Sequence, residues 1–308
     1  MIDIDTLSSR LGKRRTALAI SGGVDSMVLL HIIGNNIDRF ACELSVVHVD
    51  HGLQVESRSW SDAVHEASRA HGIPCTTYRV DVPREGNLEN QARRSRYIAL
   101  TVGHEAIVTA HHMDDQAETM MMKMMRGSGT KGLSGMPEYG PCWIDGSVLH
   151  CRPMLAISRE EIVGYARVCG IGHVEDPSNG DSSYDRNWLR NEIFPAIRSR
   201  KPDAVANMAR TAAIMSEAVE LSSALAEIDL AAVSRGDGTL DWPSLVRLGR
   251  TRAKNLIIHL VRSRTGNGCG THHIEEFTDG LMSANSDSRN EFRSKGIVIR
   301  KIGHKIVL

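Results

Sequence analysis

The chain has no net charge: 37 basic and 37 acidic residues cancel over 308 positions. This excludes a long-range field that would draw in a polyanion, so any nucleic-acid partner must be met by local patches. Paired cysteines are missing as well. Cys42, Cys75, Cys142, Cys151, Cys169 and Cys269 are scattered, with no C-x-x-C and no His–Cys cluster at ligand spacing, which argues against a thiolate zinc or iron–sulfur site. No apolar run approaches the roughly 20 residues of a membrane span. The N-terminal "MIDIDTLSSRLGKRR" lacks the apolar core of a signal peptide, so the expected setting is a reducing cytoplasm, with no membrane partner. Internal repeats and low-complexity tracts are absent too.

What is present is a chain 41% hydrophobic, long enough for one large domain and a smaller one. Short β-type runs ("TALAI" at 16–20, "LSVVHVD" at 44–50, "CTTYRVDV" at 75–82, "AIVTAHH" at 106–112) alternate with helical patterns. That alternation predicts an α/β fold, a parallel sheet covered by helices on both faces, with ligands at the carboxyl ends of its strands. The Gly- and Pro-rich stretch 127–153 reads as a loop with a short return, and "SREEIVGYARVCG" as a helix capped by Ser158 and Glu161 and stopped at Gly170. The expected organisation is a catalytic domain over 1–202, an alanine-rich linking helix over 203–233, and a small α+β domain over 234–308 ending in a hairpin.

Chemistry concentrates in four stretches. In "SGGVDS", Ser21, Gly22, Gly23, Val24, Asp25 and Ser26 follow the first strand and open a helix. The glycines let a ligand approach the backbone and the first-turn amides point at it, which suits a phosphate. The Walker G-K-[ST] is absent, and an acid beside phosphate makes sense if a divalent ion bridges them, so Asp25 is the expected metal ligand. In "HHMDDQAET", Asp114 is a natural N-cap, and Asp115 and Glu118 share one helix face at a strand end. Two such carboxylates can hold magnesium or an ammonium group or act as a general base. His111 and His112 beside them leave a transition metal open, and plain capping remains an alternative. The methionines at 120–122, 124 and 125 are expected to pack in the core. "NLENQARRSRY" puts Arg93, Arg94 and Arg96 on a helix, where a guanidinium near the site would neutralise phosphate charge and at least one must face solvent. "EDPSNGDSSYDRNWLRNEIFP" is a turn-rich loop, then Arg186 and Arg190 four apart on one side of a starting helix, an anion-binding pattern. Finally, "LVRLGRTRAKNLIIHLVRSR" carries Arg247, Arg250, Arg252 and Lys254 with no acid. It is read as one basic helix, either a nucleic-acid-contacting face or a merely solvated one.

These motifs, with "VDHGL", "RGSGTKGLSGM" and "RPML", stand in an order that resembles the tRNA(Ile)-lysidine synthases, N-type ATP pyrophosphatases of the PP-loop class, over roughly Ala17 to Pro195. The C-terminal part is similar, less tightly, to the family's first accessory domain. The resemblance implies a Rossmann-like, five-stranded-type parallel sheet. It also implies ATP and Mg2+ as cofactors, with free L-lysine, a tRNA(Ile) carrying a CAU anticodon and a second copy in a homodimer as partners. The reaction implied is ligation of lysine to C2 of the wobble cytidine through an adenylated cytidine, releasing pyrophosphate and AMP. By the same resemblance Asp115 and Glu118 would recognise lysine and take its proton. Arg93 or Arg96, and Arg186 with Arg190, would serve phosphate or the lysine carboxylate, and Arg94 and Asp114 would belong to the substrate-binding side. Asp50 and His51 of "VDHGL" would line the nucleotide pocket. Three rivals remain open: a PP-loop tRNA thiolase, an amidotransferase-type synthetase acting on a small metabolite, and a nucleotide-binding regulator without catalysis.

Overall fold

The computed structural model describes residues 2–50, 52, 57–80, 88–265, 271–294 and 296–308. The chain divides into two compact units, residues 1–128 with 132–213, and residues 129–131 with 214–308.

In the first unit, strands and helices alternate: α1 (Ile4–Leu11), β1 (Arg15–Ala19), α2 (Val24–Gly34), β2 (Glu43–Asp50), α3 (Ser57–Ala70), β3 (Cys75–Arg79), α4 (Leu88–Thr101), β4 (Ala106–Val108) and α5 (Met113–Met125). A single turn, α6 (Thr130–Leu133), precedes β5 (Tyr139–Pro141), β6 (Leu149–Cys151) and α7 (Arg159–Val168). The sheet order is β3-β2-β1-β4-β6-β5. Five strands run parallel, and the sixth, β5, pairs antiparallel with β6 at the edge, a strand the sequence reading did not include. The chain builds outward from β1 to β3, then returns to the other side of β1 with β4. That reversal opens a crevice beyond the ends of β1 and β4, where such sheets bind ligands.

Both faces are covered, as the apolar runs demand. On one face Leu18, Val46 and Val108 pack with Leu29, Leu30 and Ile33 of α2 and Leu7 and Leu11 of α1. On the other, Ala17, Val47 and Ile107 meet Tyr97 and Leu100 of α4. Adjacent residues such as Ala17 and Leu18 serve opposite faces because strand side chains alternate.

Beyond a turn-rich loop come α8 (Asp185–Trp188), a π-helical turn (Leu189–Ile193) and α9 (Phe194–Arg200), then α10 (Ala204–Val233), the expected long helix, within which the two units divide. Pro195 has no N–H to give the preceding turn, and the wide turn sits immediately before it.

The second unit carries β7 (Leu240–Asp241), α11 (Trp242–Arg247), α12 (Arg250–Thr265), α13 (Thr271–Met282), β8 (Asn290–Ser294), β9 (Ile297–Ile302) and β10 (Lys305–Val307), with β7-β10-β9-β8 forming an antiparallel sheet. The hairpin expected at the C-terminus is β9 and β10. The single basic helix expected from 245 onward is instead two helices, broken at Gly249, whose φ of +80° suits glycine.

Candidate active site

Beyond β1 the chain turns through Gly22 at φ +94°, and Gly23 caps α2 without a side-chain bond. A Cβ on Gly22 would stand 3.0 Å from Val174 Cγ2, and the Gly22 carbonyl accepts the Val174 N–H, so the loop is held from behind by the segment that leads to Arg186. Ser26 Oγ donates to the Gly23 carbonyl and accepts the Ser21 N–H. The first-turn amides of α2 are left for a ligand, with the helix dipole favouring an anion. Asp25 lies in that first turn, and its Oδ1 is buried without a hydrogen-bond partner among the described residues.

The end of β4 supplies the opposite wall. The N-cap of α5 is His112, not Asp114 as expected: its Nδ1 accepts the Asp115 N–H, and the Asp115 carboxylate accepts the His112 N–H in return. The His112 Nε2 faces Asp25 at 3.7 Å and Asp115 at 3.4 Å. Burial opposes its charge, yet the Asp25 hydrogen bond and the Asp115, Asp25 and Asp114 charges prevail and raise its pKa. Asp114 points elsewhere, accepting the Arg159 N–H and an ion pair from Arg198.

Asp115 and Glu118 share one face of α5, and Arg186 and Arg190 close over them. Glu118, 1% exposed, accepts Arg186 Nε at 2.8 Å and Arg190 Nε at 2.8 Å, while Asp115 Oδ1 accepts Arg186 at 3.2 Å and Arg190 at 3.0 Å. Burial pushes the Asp115 carboxyl up, but the His112, Arg186 and Arg190 charges hold it far below the usual carboxylate range. Acids and arginines that sequence reasoning assigned to different substrates form one tetrad.

A cavity of about 570 Å3 joins these parts. Ser21, Gly23, Asp25 and Ser26 line it, as do Asp50, Arg93, Arg96, Asp115, Arg186 and Arg190. Gly22 and Val24 shape the loop without lining it, and Glu118 lies beneath the arginines. Arg94 faces a neighbouring hollow, and His51 is outside the described residues. The sequence reading missed His48, Trp60, Tyr97, Thr109, Asn179, Tyr184 and Asn187, which also line it. Asn179, Tyr184 and Asn187 sat in the turn-rich motif; His48 carried no signal, and it fastens β2 to β1 through the Ile20 carbonyl at 2.9 Å. His111 joins Thr109, His150 and Arg152 in a buried chain, where burial and the Arg152 charge depress His150 to about 2 and hold His111 well below its usual value. Such neutral rings are a wall rather than a base. Among the described residues no three His, Cys, Asp or Glu side chains converge as a metal site, so a cation here would lean on Asp25 and its own ligands.

A glycine loop opening a helix at a sheet's switch point, faced by acids and guanidiniums, is the arrangement of a nucleotide-using enzyme class, and a family model described as PP-loop domain matches residues 2–197. The relatives are more particular. A "tRNA(Ile)-lysidine synthase" of Pseudomonas aeruginosa is 42% identical over 255 residues, covering 78% of this chain and 57% of the relative. One of the same name from Pseudomonas putida is 34% identical over 299 residues, 93% of this chain and 69% of the relative. The chain belongs to this family, the tRNA(Ile)-lysidine synthases of the PP-loop class, and spans 57 to 69% of the length of these two relatives. The U34-tRNA thiolase NcsA of Methanococcus maripaludis, solved with its 4Fe–4S cluster, shares the fold, with a TM-score of 0.55, 17% identity, and coverage of 70% of this chain and 77% of that one.

Proposed function

We propose that the chain joins free L-lysine to C2 of the wobble cytidine in the CAU anticodon of tRNA(Ile), using ATP. One observation carries this reading: a single cavity holds both a phosphate loop for a leaving pyrophosphate and an acid–guanidinium tetrad suited to an amino acid. Cytidine O2 attacks the α-phosphorus as pyrophosphate departs; the lysine amine then attacks C2, and AMP leaves with that oxygen. The loop has no lysine because it grips the departing pyrophosphate rather than a γ-phosphate in transfer.

In this reading the amides after Gly23 bind pyrophosphate, and Arg93 and Arg96 offset charge building on the α-phosphate. The orphaned, buried Asp25 Oδ1 fits a magnesium ligand whose shell is completed by phosphate oxygens and water. Magnesium there would supply charge neutralisation at the phosphates. Asp115 lines the cavity and would receive the lysine amine. While both arginines hold it, it is a weak base, and it regains basicity as a guanidinium turns to an anion. Arg186 and Arg190 are so placed to take the lysine carboxylate or a phosphate.

The tRNA would also meet the second unit. Arg250, Arg252 and Lys254 are not a bare basic face, since Asp279, Asp229 and Glu275 pair with them. Arg247 makes no ion pair among the described residues and is the better-placed phosphate contact. Ile214, Leu221, Leu225 and Ile228, exposed on α10 at heptad-like spacing, support a homodimer. Among the described residues no helix is long and apolar enough to cross a membrane, and the substrates suit the cytoplasm. Against the thiolase reading, no two cysteines are paired in sequence, and burial pushes the Cys75 thiol up to about 11 and the Cys151 thiol to about 12, so these two are poor nucleophiles.

The test is incubation with ATP, magnesium, radiolabelled lysine and a CAU-anticodon tRNA(Ile) transcript, followed by mild alkali. Label surviving on the RNA is the expected result, since an ester would hydrolyse. RNA-dependent AMP release without label would leave adenylation standing and return the thiolase.

A further inference from the structure

Beside the main cavity lies a second hollow of about 360 Å3, lined by Asn90, Gln91, Arg93, Arg94 and Trp143. Of these residues the reaction above uses only Arg93. Four of its residues come from α4, where positions 90, 91 and 94 share a face through three- and four-residue spacing. The fifth, Trp143, stands between β5 and β6 and is 51% exposed, much for the largest apolar ring. Its inner side is fixed: the Tyr97 ring meets it edge-on, with centroids 5.6 Å apart and planes inclined by 67°. Tyr97 is in turn held under the Arg93 guanidinium at 5.1 Å, and its buried hydroxyl has no hydrogen-bond partner among the described residues.

The hollow therefore offers a braced aromatic ring, two carboxamides and two guanidiniums. This combination suits a base of single-stranded RNA: the ring stacks on it, the amides reach its edge and the arginines meet the phosphates. Arg93 lines both spaces. Ligands in the two spaces would share that guanidinium as successive nucleotides share a phosphate.

We propose that this hollow is a nucleobase subsite that takes a base flanking the reacting cytidine, with Trp143 as its stacking platform and Arg94 as its phosphate contact. The inference rests on the RNA-modifying reading above, and its test separates the two. An anticodon stem-loop RNA bearing CAU is titrated onto wild type, Trp143→Phe, Trp143→Ala and Arg94→Gln, and so is the same RNA made abasic on either side of the cytidine. Trp143→Ala is expected to weaken RNA binding by about fivefold or more, with Trp143→Phe close to wild type and ATP affinity unchanged in both. One of the two abasic RNAs should lose a similar factor on wild type and nothing further on Trp143→Ala, while Arg94→Gln lowers affinity with a shallower salt dependence. Unchanged RNA affinity in Trp143→Ala overturns the subsite, as does an abasic penalty equally large in that variant or a loss confined to ATP. Failure of the lysidine reading registers elsewhere, as wild type that binds this RNA in a Trp143-dependent way yet incorporates no lysine.

Discussion

Glu118→Ala tests the tetrad most directly. The carboxylate accepts three N–H bonds, at 2.8, 2.8 and 3.0 Å, and is 1% exposed. Simple addition at about 1.5–3 kcal/mol for each charged hydrogen bond would give about 4.5–9 kcal/mol. That overstates the loss, because Arg186 and Arg190 keep Asp115 and have side chains 25% and 22% exposed, so water can reach them. Removing one partner of a buried pair costs about 3–5 kcal/mol, and the open edge favours the lower end, about 3. For a unit of this size that corresponds to a fall of about 6–12 °C in Tm. Calorimetry without substrate reads it independently of activity. Glu118→Gln keeps one acceptor and should fall between Glu118→Ala and wild type. A loss below about 1 kcal/mol for Glu118→Ala, or equal losses for the two variants, would refute the claim that this carboxylate anchors both arginines.

Four further outcomes follow from the geometry. The Asp115 carboxyl is held below its ordinary 3.8, so its contribution to stability is present above that pH and drains away as pH falls through the lower folded value; Asp115→Asn should flatten this acid limb in urea titrations and abolish lysine incorporation. Gly22→Ala combines φ +94° with a Cβ 3.0 Å from Val174 Cγ2, so a cost of about 1–3 kcal/mol and a raised KM for ATP are expected by denaturation and steady-state kinetics. In the second unit, Arg252→Gln strips the partner from buried Asp229 and should lower thermal stability. Arg247→Gln should instead leave stability alone and reduce the salt slope of tRNA binding by about one.

Much of the site could be read in advance because its signals are local. "SGGVDS" combines a strand end, a glycine the turn requires and a helix start, and all three appear in the fold. The four-residue step from Arg186 to Arg190 likewise survives, although the π-helical turn that widens the helix there is marked only by the Pro195 that follows it. What stayed hidden depends on partners distant in sequence. The basic run around Arg250 contains no acid, yet its counter-charges arrive from α10 and α13. His112 took the cap from Asp114 because Asp114 is claimed by the Arg159 amide and Arg198, 45 and 84 positions away. The three-residue strand β5 is too short for alternation to reveal.

The acid–guanidinium tetrad has a consequence for the order of events. Two negative and two positive groups sum to nothing, so at rest this corner exerts little pull on a passing ammonium ion. In the proposed reaction an amine would enter by displacing a guanidinium, and the displaced cation would need an anion to turn to. Occupancy would then be a trade of partners at a constant number of contacts, with an anionic ligand needed to start it.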